Sequence, residues 1–278
     1  MADGRWPIGW TQGPSLAPVA PVAPVVPLVP VHWSLILDPT GRPGHEHMAV
    51  DEALLRAARG DVAFFRCYRW APPCLSFGRN EPARTRYDSA AIAARGLATV
   101  RRPTGGRAVW HDAEVTYAVA GPVLLFGSLA ETYRAIHAVL ADGLRTLGVP
   151  AALAPDSPTP GPGAGACFAS PAGGEVTVRG RKLVGSAQVR ERGAFLQHGS
   201  ILLRDGQEVV AQLTRGVVPA TQATSLGEVL GRDVTFAEVT DAIVAAARRA
   251  WPGTWTAAAP PEISLGTRFA DPDWTWRR

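Results

Sequence analysis

Lysine occurs once in this chain. Of 28 basic residues among 278, only Lys182 is not arginine. A guanidinium is permanently charged and forked, whereas an ammonium is compact and can give up its proton, so chemistry can demand the second where the first would fail. Cys167 stands fifteen residues ahead of Lys182, just beyond the proline- and glycine-rich stretch Pro155–Gly165. A thiol beside such a loop is open to substrate, which makes Cys167 the reactive candidate among the three cysteines. Cys67 and Cys74 sit inside apolar runs and read as buried structural thiols.

A second group surrounds the loop Pro103–Gly106. Glycine there lets a ligand approach the backbone, and Arg101, Arg102 and Arg107 around open backbone donors suit an anion such as a phosphate. His111 and Asp112 follow, either as part of that site or as a turn that hydrogen-bonds itself. His198 either orients reacting groups or satisfies the sheet. The six histidines are dispersed, so no metal is expected.

The elements that must hold these residues can be read from periodicity and punctuation. Trp33–Leu37 is a strand, and Met48, Leu54 and Leu55 fall near a 3.6 period in a helix that Gly60 stops. Phe64–Tyr68 and Cys74–Phe77 read as two strands around the turn Ala71–Pro73, Asp88–Arg95 as a short helix, and Ala98–Arg101 as the strand entering the glycine loop. Leu129–Leu147 is the longest helix, with Tyr133, Ile136, Leu140 and Leu144 on one face and Gly148 at its end. Val176–Val178 and Lys182–Val189 form a hairpin across Arg179–Arg181. Ala194–Leu203 is a strand interrupted by Gln197, His198 and Gly199. Phe236–Trp251 is a helix, and it and the aromatic end Trp274–Trp276 offer packing without visible chemistry.

A hydrophobic content of 46% supports a core, and a charge of +4 without long like-charged runs argues against non-specific nucleic-acid binding. An odd number of irregularly spaced cysteines points to a reducing compartment. Pro14–Pro30 is apolar but studded with prolines that forbid a helix, so it is neither a signal peptide nor a membrane span. Residues 1–31 read as a disordered proline-rich tail.

RRPTGGRAVWHD (101–112), Cys167-Phe168, GRKLVGSAQVR (180–190) and LQHGSILL (196–203), in this order and at these separations, resemble the lipoate and octanoate protein ligase/transferase family. Within it they are most similar to the cysteine-dependent octanoyltransferases. The likeness runs from about Trp33 to Trp274. It implies an α/β (α+β) fold, a mixed sheet flanked by helices as in biotin protein ligase catalytic domains, with residues 32–278 as a single acyltransferase domain. It further implies that octanoate passes from octanoyl acyl carrier protein through a Cys167 thioester to the lipoyl-domain lysine of a glycine cleavage H protein or a 2-oxoacid dehydrogenase E2. That is the first step of endogenous lipoate assembly.

The family's ligases usually carry a third glycine where Arg107 stands and need no thiol, so both features favour the transferase, for which neither ATP nor metal is expected. On this resemblance Lys182 favours the Cys167 thiolate and exchanges protons with the incoming amine, and backbone donors around Gly185 and Ser186 hold the oxyanion. Gly105, Gly106 and His111 line an acyl tunnel, and Arg101, Arg107 and His198 complete the substrate-binding set. The alternatives are an ATP-dependent lipoate-protein ligase and an amidotransferase working between lipoyl domains. The expected protein is a cytoplasmic monomer without nucleic-acid or membrane partners.

Overall fold

Strict alternation along the strands sorts side chains onto two faces of a central sheet, and each face is covered by helix. The computed structural model describes residues 31–155, 168, 173–216, 221–263 and 267–278. The tail expected over residues 1–31 lies outside the described residues except for Val31, which is buried in the core. Most of Pro155–Gly165, and Cys167 itself, also lie outside them.

In chain order the elements are β1 (His32–Arg42), α1 (Gly44–Ala57), β2 (Val62–Trp70), β3 (Cys74–Phe77), α2 (Ala83–Arg86), α3 (Ser89–Ala94), β4 (Ala98–Arg101), β5 (Val109–His111), β6 (Glu114–Pro122) and α4 (Leu129–Thr146). There follow β7 (Ala151–Leu153), β8 (Val176–Val178), β9 (Arg181–Lys182), β10 (Val184–Glu191), β11 (Ala194–Leu202), α5 (Glu208–Leu213), α6 (Leu226–Leu230), α7 (Phe236–Ala250), β12 (Thr254–Ala257) and α8 (Pro272–Thr275). Among the described residues a six-stranded sheet has the order β10-β11-β6-β2-β1-β12, and two three-stranded sheets have the orders β4-β3-β5 and β7-β8-β9. β1 runs parallel to both its neighbours, whereas the pairs from β2 through β6 and β11 to β10 are antiparallel, so the sheet is mixed.

Trp33, Phe65, Val115, Tyr117, Val119 and Phe195 pack toward Ile136, Leu140 and Leu144 of α4 and Ile243 of α7. Trp33 stacks on both Trp251 and Trp255 with ring centroids 5.0 Å apart in each pair. Ile36, Tyr68, Ala118 and Leu196 belong to the opposite face and pack with Met48, Leu54 and Leu55 of α1.

The two strands expected around Ala71–Pro73 are present as β2 and β3; β3 pairs with β4 and β5, so the turn carries the chain from one sheet to another. One local expectation is corrected: β11 is not interrupted, since Gln197, His198 and Gly199 keep their register with Val119, Ala118 and Tyr117. Polar side chains are tolerated in that buried strand because each finds a partner. The hairpin at Arg179–Arg181 is present, with Arg179 and Gly180 at φ of 52° and 77°, the handedness a two-residue turn needs.

α4 and α7 cross where Gly143 lies against the other backbone, and a Cβ there would come 2.7 Å from Ile243 Cα. Replacing an exposed helical glycine by alanine gains up to about 1 kcal/mol, but here the helices must separate, and overpacking costs typically about 1–3 kcal/mol. Gly143→Ala should therefore lower the urea unfolding midpoint, and a raised midpoint would show that the crossing is not tight.

Candidate active site

The α1 face of the sheet carries polar residues where it meets β3, β5 and the loop after β4. A narrow cavity opens there, lined by Met48, Tyr68, Trp70 and Val109 on its apolar side and by Arg102, His111, Thr116, His198 and Ser200 on its polar side. Gly185, Ser186, Ala187 and Gly199 line its β10–β11 edge.

His111 stacks on Trp70 with centroids 3.9 Å apart. Its Nδ1 lies 2.9 Å from Glu114 Oε1 and its Nε2 lies 2.5 Å from Ser76 Oγ. A carboxylate can only accept, so Nδ1 carries the proton and Nε2 accepts from Ser76. Burial holds the His111 imidazole below its ordinary pKa, against the opposing pull of Glu114. By the same logic His198 donates from Nδ1 to Asp51 Oδ2 at 2.8 Å and accepts from Thr104 Oγ1 at 2.7 Å, which ties the glycine loop to α1. Asp51 also accepts from Tyr68 and from the fully buried Arg66, which bonds Asp38 as well. Burial alone would raise the Asp51 pKa, but the His198 hydrogen bond and the Arg66 charge together bring it below the usual value.

Two of the three arginines expected around the glycine loop are engaged by backbone carbonyls. Arg101 is fully buried with its guanidinium on the carbonyls of Thr275, Gly78 and Glu81, which fastens the C-terminal segment to the small sheet and keeps it out of the cavity. Burial, with Arg277 nearby, brings its pKa down to about 10. Arg102 does line the cavity, yet it bonds Ser76 Oγ and the carbonyls of Ser76, Gly105 and Arg107. Gly105, Gly106 and Arg107 do not line the cavity; Gly106 packs beside Gly78 and near Ala187.

Lys182 is 2% exposed, and its Nζ donates to Glu175 Oε1 at 2.7 Å, where Tyr133 Oη also donates at 3.1 Å. Its ammonium lies 5.2 Å from the centre of the Phe168 ring. A Cβ on Gly185 would meet that ring at 2.6 Å, so only glycine allows Phe168 to pack there. The Phe168 carbonyl accepts from Gln222 N, and Lys182 N donates to the Gln222 carbonyl, so the same short segment fixes both residues. Cys167 lies outside the described residues, but its neighbour in the chain thus sits between Lys182 and Gly185. The other cysteines are buried, and burial pushes both thiols far up in pKa. No group of His, Cys, Asp and Glu among the described residues is arranged to hold a metal, and none of the helices is long and apolar enough to cross a membrane.

Ser186 departs from its expected place as a backbone donor alone. Its Oγ lies 2.8 Å from His137 Nε2 and 2.7 Å from Tyr117 Oη. His137 and Glu175 were not visible as site residues in the sequence. The available signals were a histidine on the apolar stripe of α4, one turn from Tyr133, and an acid directly before the apolar Val176–Val178.

Burial lowers both His47 and His137 from 6.5 to about 3. Unfolded chains bind protons at both sites from about pH 6.5 downward while the native protein does not, so stability is fully present above that pH and is lost as pH falls. The slope approaches about 1.4 kcal/mol per pH unit for each histidine. Urea unfolding free energy should therefore drop steadily from pH 6.5 to 4.5, and a flat profile over that range would contradict the burial of the neutral rings.

The lipoyl protein ligase A/B catalytic domain family matches residues 43–248. Octanoyltransferase LipM of Symbiobacterium thermophilum is 42% identical over 79% of this chain and 86% of its own length. Octanoyltransferase LipM of Kyrpidia tusciae is 40% identical over 84% of this chain and 94% of its own. In fold, a bipartite lipoate protein ligase from Thermoplasma acidophilum superposes with a TM-score of 0.68 at 20% identity, covering 88% of this chain and 96% of that one. The chain belongs to the lipoyl protein ligase A/B catalytic domain family.

Proposed function

We propose that this chain is an octanoyltransferase of lipoate assembly, taking octanoate from acyl carrier protein through a Cys167 thioester and delivering it to the lysine of a lipoyl domain. The reading is carried by one juxtaposition: the sole lysine, buried and ion-paired, meets Phe168 and Gly185 at the edge of a partly apolar cavity. The strong similarity to octanoyltransferases supports the acyl group.

In the first half-reaction the Cys167 thiolate attacks the octanoyl thioester of the carrier arm; the new S–C bond forms, the old one breaks, and the carrier thiol leaves with a proton. A free thiol ionises near 8.5, so the nearby ammonium of Lys182 favours the reactive anion. In the second half-reaction a lipoyl-domain amine attacks the Cys167 thioester; the N–C bond forms, the C–S bond breaks, and the proton shed by the nitrogen restores the Cys167 thiol. Lys182, in contact with Glu175, belongs to a pair through which a proton can be exchanged, a task arginine cannot take over. On this reading the octanoyl chain runs along Met48, Tyr68, Trp70 and Val109, the apolar side of the cavity, where each buried methylene is worth about 0.8 kcal/mol. The reaction needs neither ATP nor a metal, since the donor is already an activated thioester.

Intact-protein mass spectrometry after mixing with octanoyl acyl carrier protein, without ATP, tests this. The expected result is one hydroxylamine-labile octanoyl adduct, absent in Cys167→Ala. Transfer that appears only with free octanoate and ATP, and persists in Cys167→Ala, would make the protein a ligase instead.

A further inference from the structure

The α1 face of the sheet carries a groove at the end away from the cavity. Leu55, Ala58 and Ala194 form its floor, and Arg56, Arg59, Arg192 and Arg268 rim it against only Glu52 and Glu191. All four arginines are exposed. Glu52 is shared between Arg56, at 2.8 Å, and Arg268, so the rim keeps positive charge that its own carboxylates do not offset. The positive surface continues beyond Arg268. Arg268 and Arg277 lie over the Trp274 ring at 4.2 Å and 3.8 Å, and Arg277 donates to the carbonyl of Arg79, whose own N–H donates to Thr104 of the glycine loop.

Three elements run from the cavity to this groove. On β11, His198 lines the cavity and Ala194 the groove, roughly 13 Å apart at the rise of an extended strand. On β10, Ala187 lines the cavity, the half-buried Val189 packs on the same face, and Glu191 reaches the groove. On α1, Met48 and Leu55 mark the two ends, about 10 Å apart along the helix axis.

The two protein substrates differ in reach. A lipoyl-domain lysine brings only its own side chain, so its protein must dock at the cavity mouth. The donor thioester stands at the end of a pantetheine arm joined to the carrier protein through a phosphodiester. The carrier body therefore sits an arm's length from the thioester, with an anion at the point of attachment. Guanidinium groups match phosphate and carboxylate alike. Resting on the octanoyltransferase reading above, we infer that the arginine groove docks the donor carrier protein by an acidic face around the base of its arm, with the arm lying along Ala187 and Val189 toward the cavity. Charge of this kind acts on encounter and on salt dependence.

Two matched hairpins supply the variants. Arg192 sits at φ 51° in a two-residue turn with Gly193, a conformation that aspartate tolerates better than most residues, so Arg192→Asp reverses the charge without unsettling the hairpin. Arg179→Asp makes the same change at φ 52° in the β8–β9 hairpin, outside the groove, and controls for net charge. Binding of the carrier protein with a free pantetheine thiol is measured by fluorescence anisotropy over a range of salt concentrations. Octanoyl transfer to a lipoyl domain is measured from octanoyl carrier protein and from octanoyl-pantetheine, which has neither phosphate nor protein.

The double variant Arg59→Glu, Arg192→Asp is expected to weaken carrier binding about tenfold or more and to flatten its salt dependence. It should raise KM for octanoyl carrier protein with little change in kcat, and alter transfer from octanoyl-pantetheine by less than about twofold. Arg179→Asp should bind the carrier as the wild type does. Unchanged carrier binding in the double variant, an equal loss in Arg179→Asp, or a raised KM for the lipoyl domain instead of the carrier would overturn the inference. A wild-type protein that transfers no octanoate from the carrier would instead remove the octanoyltransferase reading on which it rests.

Discussion

A guanidinium buried without any solvent contact organises the cavity floor. Arg66 reaches Asp51 Oδ1 at 2.8 Å and Asp38 Oδ2 at 3.1 Å, joining β2 to α1 and β1. A charge in this position is stable only while its partners remain; removing one typically costs about 3–5 kcal/mol, a large part of a total stability of about 5–15 kcal/mol. The dependence extends further, because Asp51 also fixes His198, and His198 receives the Thr104 hydroxyl of the glycine loop. The glycine loop is thus held to the sheet by a chain of hydrogen bonds that begins at Arg66.

The histidines near the cavity share a state as well as a neighbourhood. His47, His111 and His137 are all driven below their ordinary pKa by burial. Each has one ring nitrogen facing a carbonyl or carboxylate, so each serves as a fixed donor on one side and a fixed acceptor on the other. The three rings form a polar framework whose burial favours the neutral imidazole.

Much of this was legible in the sequence because it follows from residue type. The uniqueness of Lys182, the period of α4 and the alternation of β10 and β11 needed no structure to see, and Leu129–Leu147 ends within one residue of α4. What escaped notice depends on pairing across the chain. Arg101 looks like an anion ligand beside a glycine loop, but the carbonyl of Thr275, far along the chain, claims it. Gln197, His198 and Gly199 look like a break in a strand because local hydropathy does not reveal that Gln188, Asp51 and Tyr117 wait opposite. His137 disappeared into an apolar stripe for the same reason: its partners lie on β10 and in the turn before β8.

The central claim is that the charge of Lys182 makes Cys167 a nucleophile, and the most direct measurement is the rate of iodoacetamide alkylation against pH. Cys67 and Cys74 are buried and do not compete, so the rate reports Cys167. The account predicts an inflection well below the value of about 8.5 for a free thiol, a return toward that value in Lys182→Gln, and a lowered inflection retained in Lys182→Arg even though acyl transfer is lost. A wild-type inflection near that of a free thiol, unmoved by Lys182→Gln, would contradict it.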